Sequence, residues 1–479
     1  MSANRFIARS SEGYLEINPS MANRHGLICG ATGTGKTVTL QKIVETFSLL
    51  GIPSVVSDIK GDLSGLAKAG GSNPKIDARF DALDIHADYT ALPTTFWDIW
   101  GENGHPVRTT ISDMGPLLLS RLLGLNETQS GILNLTFKVA DDEGLALLDI
   151  KDLRAMLQNI AERSRELGTK YGNISSASVG AIQRSLLSLE SQGADRLFGE
   201  PMLNIDDLIQ TVEGKGVVNL IDATKLINTP KLYASLLLWI LSELYEMLPE
   251  IGDQRMPKLL FFFDEAHLLF DGAPEVLIEK IEQVVRLIRS KGVGVYFITQ
   301  HPSDIPEKIA AQLGNRIIHA LRAFTPKDQK AIRSAAETMR DNPALDETKA
   351  LSELEIGEAL ISFLDEKGSP SMTERALIVP PFSQIGPISQ DERKRLMETS
   401  LVDGVYDQVV DNESAYEILN QRLETSAPKV EETRPSPAAR RSSRRETPTE
   451  ALAKSAARAI GSQLGRAIIR GILGSIFKR

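Results

Sequence analysis

The sequence predicts an α/β fold with a mainly parallel central sheet, and three observations support this prediction. Short apolar runs suited to buried strands alternate along the chain with longer segments of helical periodicity. A glycine-rich segment follows the first of these runs, and a later run ends in two adjacent acidic residues. Because parallel strands joined through helices bring their carboxyl ends to one edge, we expect both features to meet there.

The apolar runs give the order of the elements. A strand is predicted at 25–29 and a helix at 38–50, and further strands are predicted at 54–57, 217–221, 258–263, 293–299, 317–321, 359–364 and 376–379. Between 112 and 213 helical patterns dominate, at 114–125, 130–140, 151–167 and 177–192. This long helical segment favours one core with an insertion over two separate folds.

Six segments are therefore predicted along the chain. They are the two parts of one core at 1–111 and 214–389, a helical insertion at 112–213, a helical extension at 390–424, a disordered linker at 425–449, and a basic amphipathic helix at 450–479. The linker is rich in Pro, Ser, Arg and Glu, a composition that disfavours a packed core.

The glycine-rich segment fits the phosphate-binding pattern G-x-x-x-x-G-K-[ST]. Its glycines let the backbone turn so that successive amide groups point inward, and the next helix directs its positive N-terminal end at the same anion. Lys36 is expected to reach the β- and γ-phosphates of ATP, and the Thr37 hydroxyl to bind Mg²⁺. The predicted binding residues are Gly30, Ala31, Thr32, Gly33, Thr34, Gly35, Lys36 and Thr37.

The apolar strand at 258–263 ends in Asp264 and Glu265. At the carboxyl end of a central strand, Asp264 is placed to hold Mg²⁺ through water. Glu265, one residue further on, is placed to orient and polarise an attacking water molecule. This pair favours hydrolysis coupled to movement over transfer to a small acceptor, with Lys36 and Glu265 as catalytic residues.

Two further strand ends carry polar residues. Gln300 follows the strand at 293–299, where its amide is placed to contact the γ-phosphate or the attacking water; the alternative is a side chain facing solvent. Residues 58–62, Asp-Ile-Lys-Gly-Asp, follow the strand at 54–57, and the alternative for them is an ordinary acidic turn. We predict Gln300 as a third catalytic residue.

Composition excludes several classes of protein. With 479 residues, 42% of them hydrophobic, the chain can bury a large core. It lacks an apolar stretch of the roughly 18 to 20 residues that span a bilayer, and residues 1–20 lack the apolar core of a signal peptide, so we expect a cytoplasmic protein. The single cysteine, Cys29, excludes internal disulfides and a thiolate zinc cluster. The six histidines have no metal-ligand spacing, so Mg²⁺ is the only metal expected.

Charge is distributed unevenly along the chain. Residues 434–479 contain eleven Lys and Arg and two Glu, a charge of +9; since the whole chain carries −9, residues 1–433 carry −18. An acidic body argues against a broad DNA-binding surface, although a local basic groove or pore is compatible with it.

In order and spacing, these motifs resemble those of the HerA and FtsK group of RecA-like motors, and most closely the bacterial HerA-like ATPases. The resemblance rests on 30–37, 58–62, 261–267 and 298–302, and on the HerA-like segments 123–131 and 313–322. It extends from about residue 5 to residue 479 and implies a RecA-like P-loop NTPase fold.

The resemblance also implies a hexameric ring with ATP between subunits and pore loops that grip double-stranded DNA. In such rings an arginine of the neighbouring subunit reaches the γ-phosphate. Arg316 is the first candidate here, followed by Arg322, Arg289 and Arg375; the alternative for each is a surface or salt-bridging role. HerA helicases carry a β-barrel before the phosphate loop, whereas only about twenty residues precede the first core strand here.

Three functions are compatible with the sequence. The first is an ATP-driven translocase or helicase acting on double-stranded DNA. The second is an ATPase that moves protein or serves a secretion complex, although such ATPases usually attach to membranes. The third is a nucleotide-dependent switch or scaffold that does not act on DNA. Hydrolysis stimulated by double-stranded DNA would separate the first from the others.

The basic C-terminal helix has its own alternatives. Its charge and apolar stripe suit DNA phosphates or an anionic membrane surface. Alternatively, the helix folds back on its own or a neighbouring subunit.

Overall fold

The computed structural model describes residues 5–172, 174–252, 254–322 and 325–426. The predicted C-terminal helix and all but the first two residues of the predicted linker lie outside these ranges. Residues up to Gln421 form one compact unit. Within the described ranges, no helix combines the length and the apolarity needed to cross a membrane.

Fourteen strands occur in the described residues. They are β1 (Ala8–Ser10), β2 (Tyr14–Leu15), β3 (Gly26–Cys29), β4 (Ser54–Asp58), β5 (Thr94–Asp98), β6 (His105–Pro106), β7 (Thr211–Val212), β8 (Lys215–Gly216), β9 (Val218–Asp222), β10 (Leu259–Phe263), β11 (Val293–Thr299), β12 (Asn315–His319), β13 (Glu358–Ser362) and β14 (Glu374–Ile378).

Fifteen α-helices accompany these strands in the same ranges. They are α1 (Lys36–Leu49), α2 (Pro74–Leu83), α3 (Ile111–Leu123), α4 (Glu127–Glu143), α5 (Ile150–Glu162), α6 (Ser164–Tyr171), α7 (Ser176–Ser191), α8 (Pro230–Met247), α9 (His267–Phe270), α10 (Glu275–Ile288), α11 (Glu307–Ala310), α12 (Pro326–Glu337), α13 (Glu347–Glu353), α14 (Gln390–Met397) and α15 (Ala415–Ser426).

Twelve strands form one sheet in the order β2-β1-β14-β13-β12-β3-β11-β10-β4-β9-β5-β6, and β7 pairs with β8. The eight strands from β12 to β6 are parallel, whereas β13, β14, β1 and β2 extend the sheet in antiparallel pairs. The predicted α/β class with a mainly parallel sheet is therefore confirmed. The carboxyl ends of β3, β11, β10 and β4 follow one another along one edge.

Both faces of the sheet are covered by helices. In β10, Phe261 and Phe263 belong to the apolar cluster that includes α8 and α10, whereas Leu260 and Phe262 belong to the cluster that includes α1. All five β10 residues are buried. A strand with two buried faces has to be apolar throughout, which explains the continuous run Leu-Leu-Phe-Phe-Phe.

The segment predicted as an insertion contains most of α3 and all of α4 to α7. Its residues Leu133, Leu153 and Ile182 share one apolar cluster with Leu236 of α8 and Phe261 of β10. The helices therefore pack on the sheet through a common core, and the domain boundaries themselves stay predictions.

Several local predictions differ from the structure. The predicted helix at 151–167 is interrupted at Arg163, between α5 and α6. The predicted extension at 390–424 contains α14 and α15 with a non-helical segment between them. Gly404 adopts φ +73° in that segment, and the Tyr406 carbonyl accepts a hydrogen bond from Nη1 of Arg108 at 2.7 Å. Turn formation and this tertiary contact override the local helical propensity.

Candidate nucleotide-binding and hydrolytic site

The glycine-rich loop connects β3 to α1, as predicted from its sequence context. Gly30, Gly33 and Gly35 have φ values of +154°, +80° and +119°, which side-chain-bearing residues rarely adopt. A Cβ atom on Gly30 would lie 2.5 Å from Cβ of His319, so the position also needs glycine for space. Thr32 and Gly33 are exposed at the tip of the loop.

Strands β12 and β13 hold the loop from one side. The Ala31 N–H donates to the Ala320 carbonyl at 2.9 Å, and the Gly357 N–H donates to the Thr34 carbonyl at 3.0 Å. The two bonds anchor the loop at both ends of its curve. The exposed tip therefore has a defined backbone conformation before any ligand binds.

Helix α1 begins directly at Lys36 and has no side-chain cap. The N–H groups of its first turn therefore lack intrahelical acceptors and provide a positive end. Nζ of Lys36 donates to the Gly30 carbonyl at 2.6 Å and to the Ala31 carbonyl at 3.1 Å. Burial lowers the pKa of Lys36, and the positive charge of Lys60 lowers it further. Thr37, the next residue, is half-buried.

Asp264 follows β10, and its backbone is fixed by a buried hydroxyl pair. Its N–H donates to Oγ of Ser57 at 3.0 Å, and its carbonyl accepts from the Tyr233 hydroxyl. The two hydroxyls lie 2.9 Å apart. Burial raises the pKa of the Asp264 carboxyl to about 7, while the Lys60 ammonium opposes this rise. A bound cation would stabilise the charged carboxylate in this buried position.

Glu265 has the left-handed φ value of +45°, unusual for a residue with a side chain. Such a conformation costs about 1 to 3 kcal/mol and is found most often at functional sites. Its Oε2 lies 3.4 Å from Nε2 of Gln300 and 3.5 Å from Nδ1 of His267. Its Oε1 lies 3.3 Å from Nζ of Lys60. The structure thus brings Asp264, Glu265 and Gln300 together.

The acidic residues at 58–62 shape a turn, and it is the lysine between them that reaches the candidate site. The Asp58 carboxylate accepts the N–H groups of Gly61 at 2.7 Å and Leu63 at 3.1 Å, so it builds the turn after β4. Burial raises the pKa of Asp58 to about 6, and the negative charge of Asp62 adds to this rise. The turn presents Lys60 to Glu265. Lys60 was not predicted as a site residue, although its place at a strand end beside the Asp264 strand is a usable signal.

The buried His319 lies below the loop and was also not predicted as a site residue. Its Nε2 lies 2.9 Å from Oγ1 of Thr39 in α1, and its Nδ1 lies 2.9 Å from the Glu358 carbonyl. Burial lowers the pKa of His319 to about 4, so the ring is neutral at pH 7. The neutral ring donates from Nδ1 and accepts at Nε2, which connects α1 to β13 beneath the phosphate loop.

The Arg316 side chain makes its contacts away from Asp264, Glu265 and Gln300. Its guanidinium donates to three carbonyl groups of its own subunit, those of Leu313 and Ala310 at 3.0 Å and of Thr338 at 2.6 Å. Burial lowers its pKa. Within one subunit this arginine ties β12 to its neighbouring segments, and its role as a trans arginine stays a prediction.

Two of the other arginine candidates, Arg375 and Arg322, lie in different surroundings. Arg375 pairs with Glu358, with Nη2 at 2.5 Å from Oε2. Arg322 lines an open cavity of about 920 Å³ that begins at Gly33 and Thr34 of the loop. Leu321, Leu354 and Ile356 supply apolar surface to the same cavity.

The residues at this edge fit a nucleoside triphosphate with Mg²⁺. The exposed loop tip, the uncapped start of α1 and the Lys36 ammonium match phosphate oxygens. The Thr37 hydroxyl and the Asp264 carboxylate are oxygen ligands of the type Mg²⁺ prefers. Among the described residues, no group of three or more His, Cys, Asp or Glu side chains could hold a metal ion without the substrate.

The chain is similar to known helicases. The family described as Helicase HerA-like C-terminal matches residues 3–479. The chain is 23% identical over 363 residues to the DNA double-strand break repair helicase HerA of Saccharolobus solfataricus, covering 74% of this chain and 64% of that protein. It is also 23% identical over 390 residues to the protein of the same name from Pyrococcus furiosus, covering 72% of this chain and 64% of that protein. The chain thus spans slightly less than two thirds of these relatives.

Solved structures share the fold. VirB4 of Thermoanaerobacter pseudethanolicus matches with a TM-score of 0.52 and 15% identity, covering 78% of this chain and 96% of that one. The plasmid coupling protein TrwB in complex with the GTP analogue GDPNP matches with a TM-score of 0.51 and 14% identity, covering 80% and 92%. The fold is that of the RecA-like P-loop ATPases. Because the family match covers nearly the whole sequence, the chain belongs to the Helicase HerA-like C-terminal family.

Proposed function

We propose that this protein binds and hydrolyses ATP and that it uses the hydrolysis to move along double-stranded DNA. One observation carries the ATPase part of the proposal. The phosphate loop, Asp264 and Glu265, and Gln300 lie at the ends of β3, β10 and β11, which are neighbours in the order β3-β11-β10. A phosphate group on the loop would therefore face a metal ligand, a candidate base and an amide.

Each side chain has a proposed task. Lys36 and the N–H groups at the start of α1 bind the phosphates, and Thr37 and Asp264 hold Mg²⁺. When bound, Mg²⁺ neutralises charge on the phosphate oxygens. Glu265 orients a water molecule and accepts its proton. Gln300, 3.4 Å from the Glu265 carboxylate, contacts the same water or the terminal phosphate.

The cavity beside the loop is the proposed place of the base and sugar. It begins at Gly33 and Thr34, so a nucleotide whose phosphates lie on the loop has room for its nucleoside there. Leu321, Leu354 and Ile356 offer the apolar surface that a purine ring requires. The complex of the structural neighbour TrwB with GDPNP supports a nucleoside triphosphate as the ligand class.

Translocation along DNA is proposed from the family to which the chain belongs. The HerA relatives are named as DNA double-strand break repair helicases, which supports double-stranded DNA as the substrate. We propose a homo-hexamer in which a neighbouring subunit completes each site, with Arg316 as the trans arginine. The location of this protein in the cytoplasm stays a prediction.

The decisive experiment measures the rate of ATP hydrolysis with and without double-stranded DNA on a sample of measured oligomeric state. We expect a hexamer and a several-fold stimulation by DNA. A protein that hydrolyses ATP but ignores DNA would contradict the DNA part and favour a protein or secretion load. A protein that binds ATP without turnover would indicate a switch or scaffold.

A further inference from the structure

Lys60 occupies a defined position between the strands of the site. It lies in the turn after β4, which the Asp58 carboxylate fixes through the N–H groups of Gly61 and Leu63. Strand β4 is the parallel neighbour of β10, so this turn lies beside Asp264 and Glu265. Nζ of Lys60 is 3.3 Å from Oε1 of Glu265.

Two ammonium groups therefore approach the phosphate position. Lys36 follows the loop at the end of β3 and Lys60 follows β4, and both strands end at the same edge of the sheet. Each has a partner within the protein: Lys36 donates to the loop carbonyls of Gly30 and Ala31, and Lys60 pairs with Glu265. A phosphate on the loop would offer both ammonium groups an alternative partner.

The pair between Lys60 and Glu265 can open without disturbing the fold. The Lys60 side chain is 42% exposed and has a long flexible stem, whereas the Glu265 side chain is only 9% exposed. Glu265 keeps its contact with Gln300 when Lys60 leaves. Because the Lys60 ammonium is partly exposed, it can move from the carboxylate to a phosphate oxygen by rotation of its own side chain.

We propose that Lys60 exchanges its Glu265 partner for the terminal phosphate of a bound nucleoside triphosphate, and that it thereby distinguishes ATP from ADP. The exchange also frees Oε1 of Glu265 to bind water. ADP lacks the γ-phosphate, so with ADP bound Lys60 stays on Glu265. This inference rests on the proposed function, because it needs a nucleotide on the loop.

The test compares the affinities of two nucleotides. Dissociation constants for ADP and for a non-hydrolysable ATP analogue, both with Mg²⁺, are measured by calorimetry for wild type, Lys60→Ala, Lys60→Arg and Lys68→Ala. Lys68 is a matched control, because its ammonium pairs with Glu392 at 2.6 Å and its side chain is 47% exposed. Circular dichroism checks that each variant is folded.

We expect Lys60→Ala to weaken binding of the ATP analogue about tenfold or more, since a charged hydrogen bond to phosphate is lost, and to leave ADP binding within about twofold. Lys60→Arg retains the charge and recovers most of the affinity, and Lys68→Ala resembles wild type. An equal effect of Lys60→Ala on both nucleotides, or none on either, overturns this inference while the proposed function stands. Failure of the wild type to bind either nucleotide overturns both.

Discussion

Nε2 of Gln300 donates a hydrogen bond to Oε2 of Glu265 over 3.4 Å, although the two residues lie 35 positions apart in the chain. The contact follows from the pairing of β10 with β11, in which Phe263 lies opposite Phe297. Each strand then delivers one polar residue to the same edge. A change at the phosphate position can therefore reach β11 through a single side-chain contact.

Glu265→Gln should retain nucleotide binding and abolish turnover. The amide cannot accept the proton of water, and loss of a general base lowers kcat by about 100-fold or more. Retention of labelled ATP on the purified protein, measured together with the steady-state rate, checks this. Turnover near the wild-type rate would exclude Glu265 as the base.

Lys36→Ala should abolish nucleotide binding or turnover. It removes the ammonium that lies at the loop, where it donates to Gly30 and Ala31. Fluorescent-nucleotide titration and the steady-state ATPase rate measure the two effects. Hydrolysis comparable to the wild type would contradict the assignment of the phosphate loop.

Tyr233→Phe should reduce kcat about tenfold with little change in KM, because Asp264 loses the hydroxyl that fixes its backbone. Tyr296→Phe is the matched control. The buried Tyr296 hydroxyl donates to the Ala22 carbonyl at 3.1 Å and does not contact Asp264, Glu265 or Gln300. Both variants should lose about 1 kcal/mol of unfolding free energy. Equal losses of kcat in the two would argue against a positioning role for Tyr233.

Asp264 and Asp58, whose pKa values burial raises, should favour the fold as the pH falls, whereas His319 should disfavour it between pH 6.5 and about 4. Its pKa is about 4 in the buried site against 6.5 as the ordinary value, so in this window the unfolded chain binds more protons. The contribution of His319 to the free energy of unfolding therefore rises with pH through the window and is constant above it. His319 contributes about 3 kcal/mol to this change.

Urea unfolding at pH 7.0, 5.5 and 4.5 measures this dependence. His319→Gln should lower the slope of the unfolding free energy against pH, and His86→Gln, at an exposed position, should leave that slope unchanged. His25 adds to the same slope, since burial lowers its pKa to about 4 as well. Identical pH profiles for wild type and His319→Gln would contradict the prediction.

Arg316 can be tested for action in trans by mixing inactive subunits. If Arg316 completes a neighbour's site, mixtures of Arg316→Ala and Glu265→Gln subunits contain some sites with both residues intact, and ATPase activity should return. The rate is measured across mixing ratios. No recovery at any ratio, together with a lower melting temperature for Arg316→Ala, would favour the role seen within one subunit, where the guanidinium binds three carbonyl groups.

The parts of the fold and of the candidate site that have a local sequence signal were predictable. A phosphate loop needs glycines at fixed spacing before a lysine, and a doubly covered strand needs an unbroken apolar run, so Gly30, Lys36 and the strand before Asp264 were all predictable. The seven strands predicted after the phosphate loop occur within two residues of the expected positions. Short strands such as β1 and β6 lack such a pattern and were missed.

Only the tertiary structure decided which groups meet at the site. The order β3-β11-β10-β4 arises from helices crossing between strands that are distant in the chain, and no local pattern specifies it. This order sets Lys60 beside Glu265, while β12 on the other side of β3 sets His319 beneath Gly30. Helix α8 brings the Tyr233 hydroxyl to the Asp264 carbonyl. The chemistry of the residues therefore predicted which ligand could bind at the sheet edge. Long-range packing decided which side chains contact one another there.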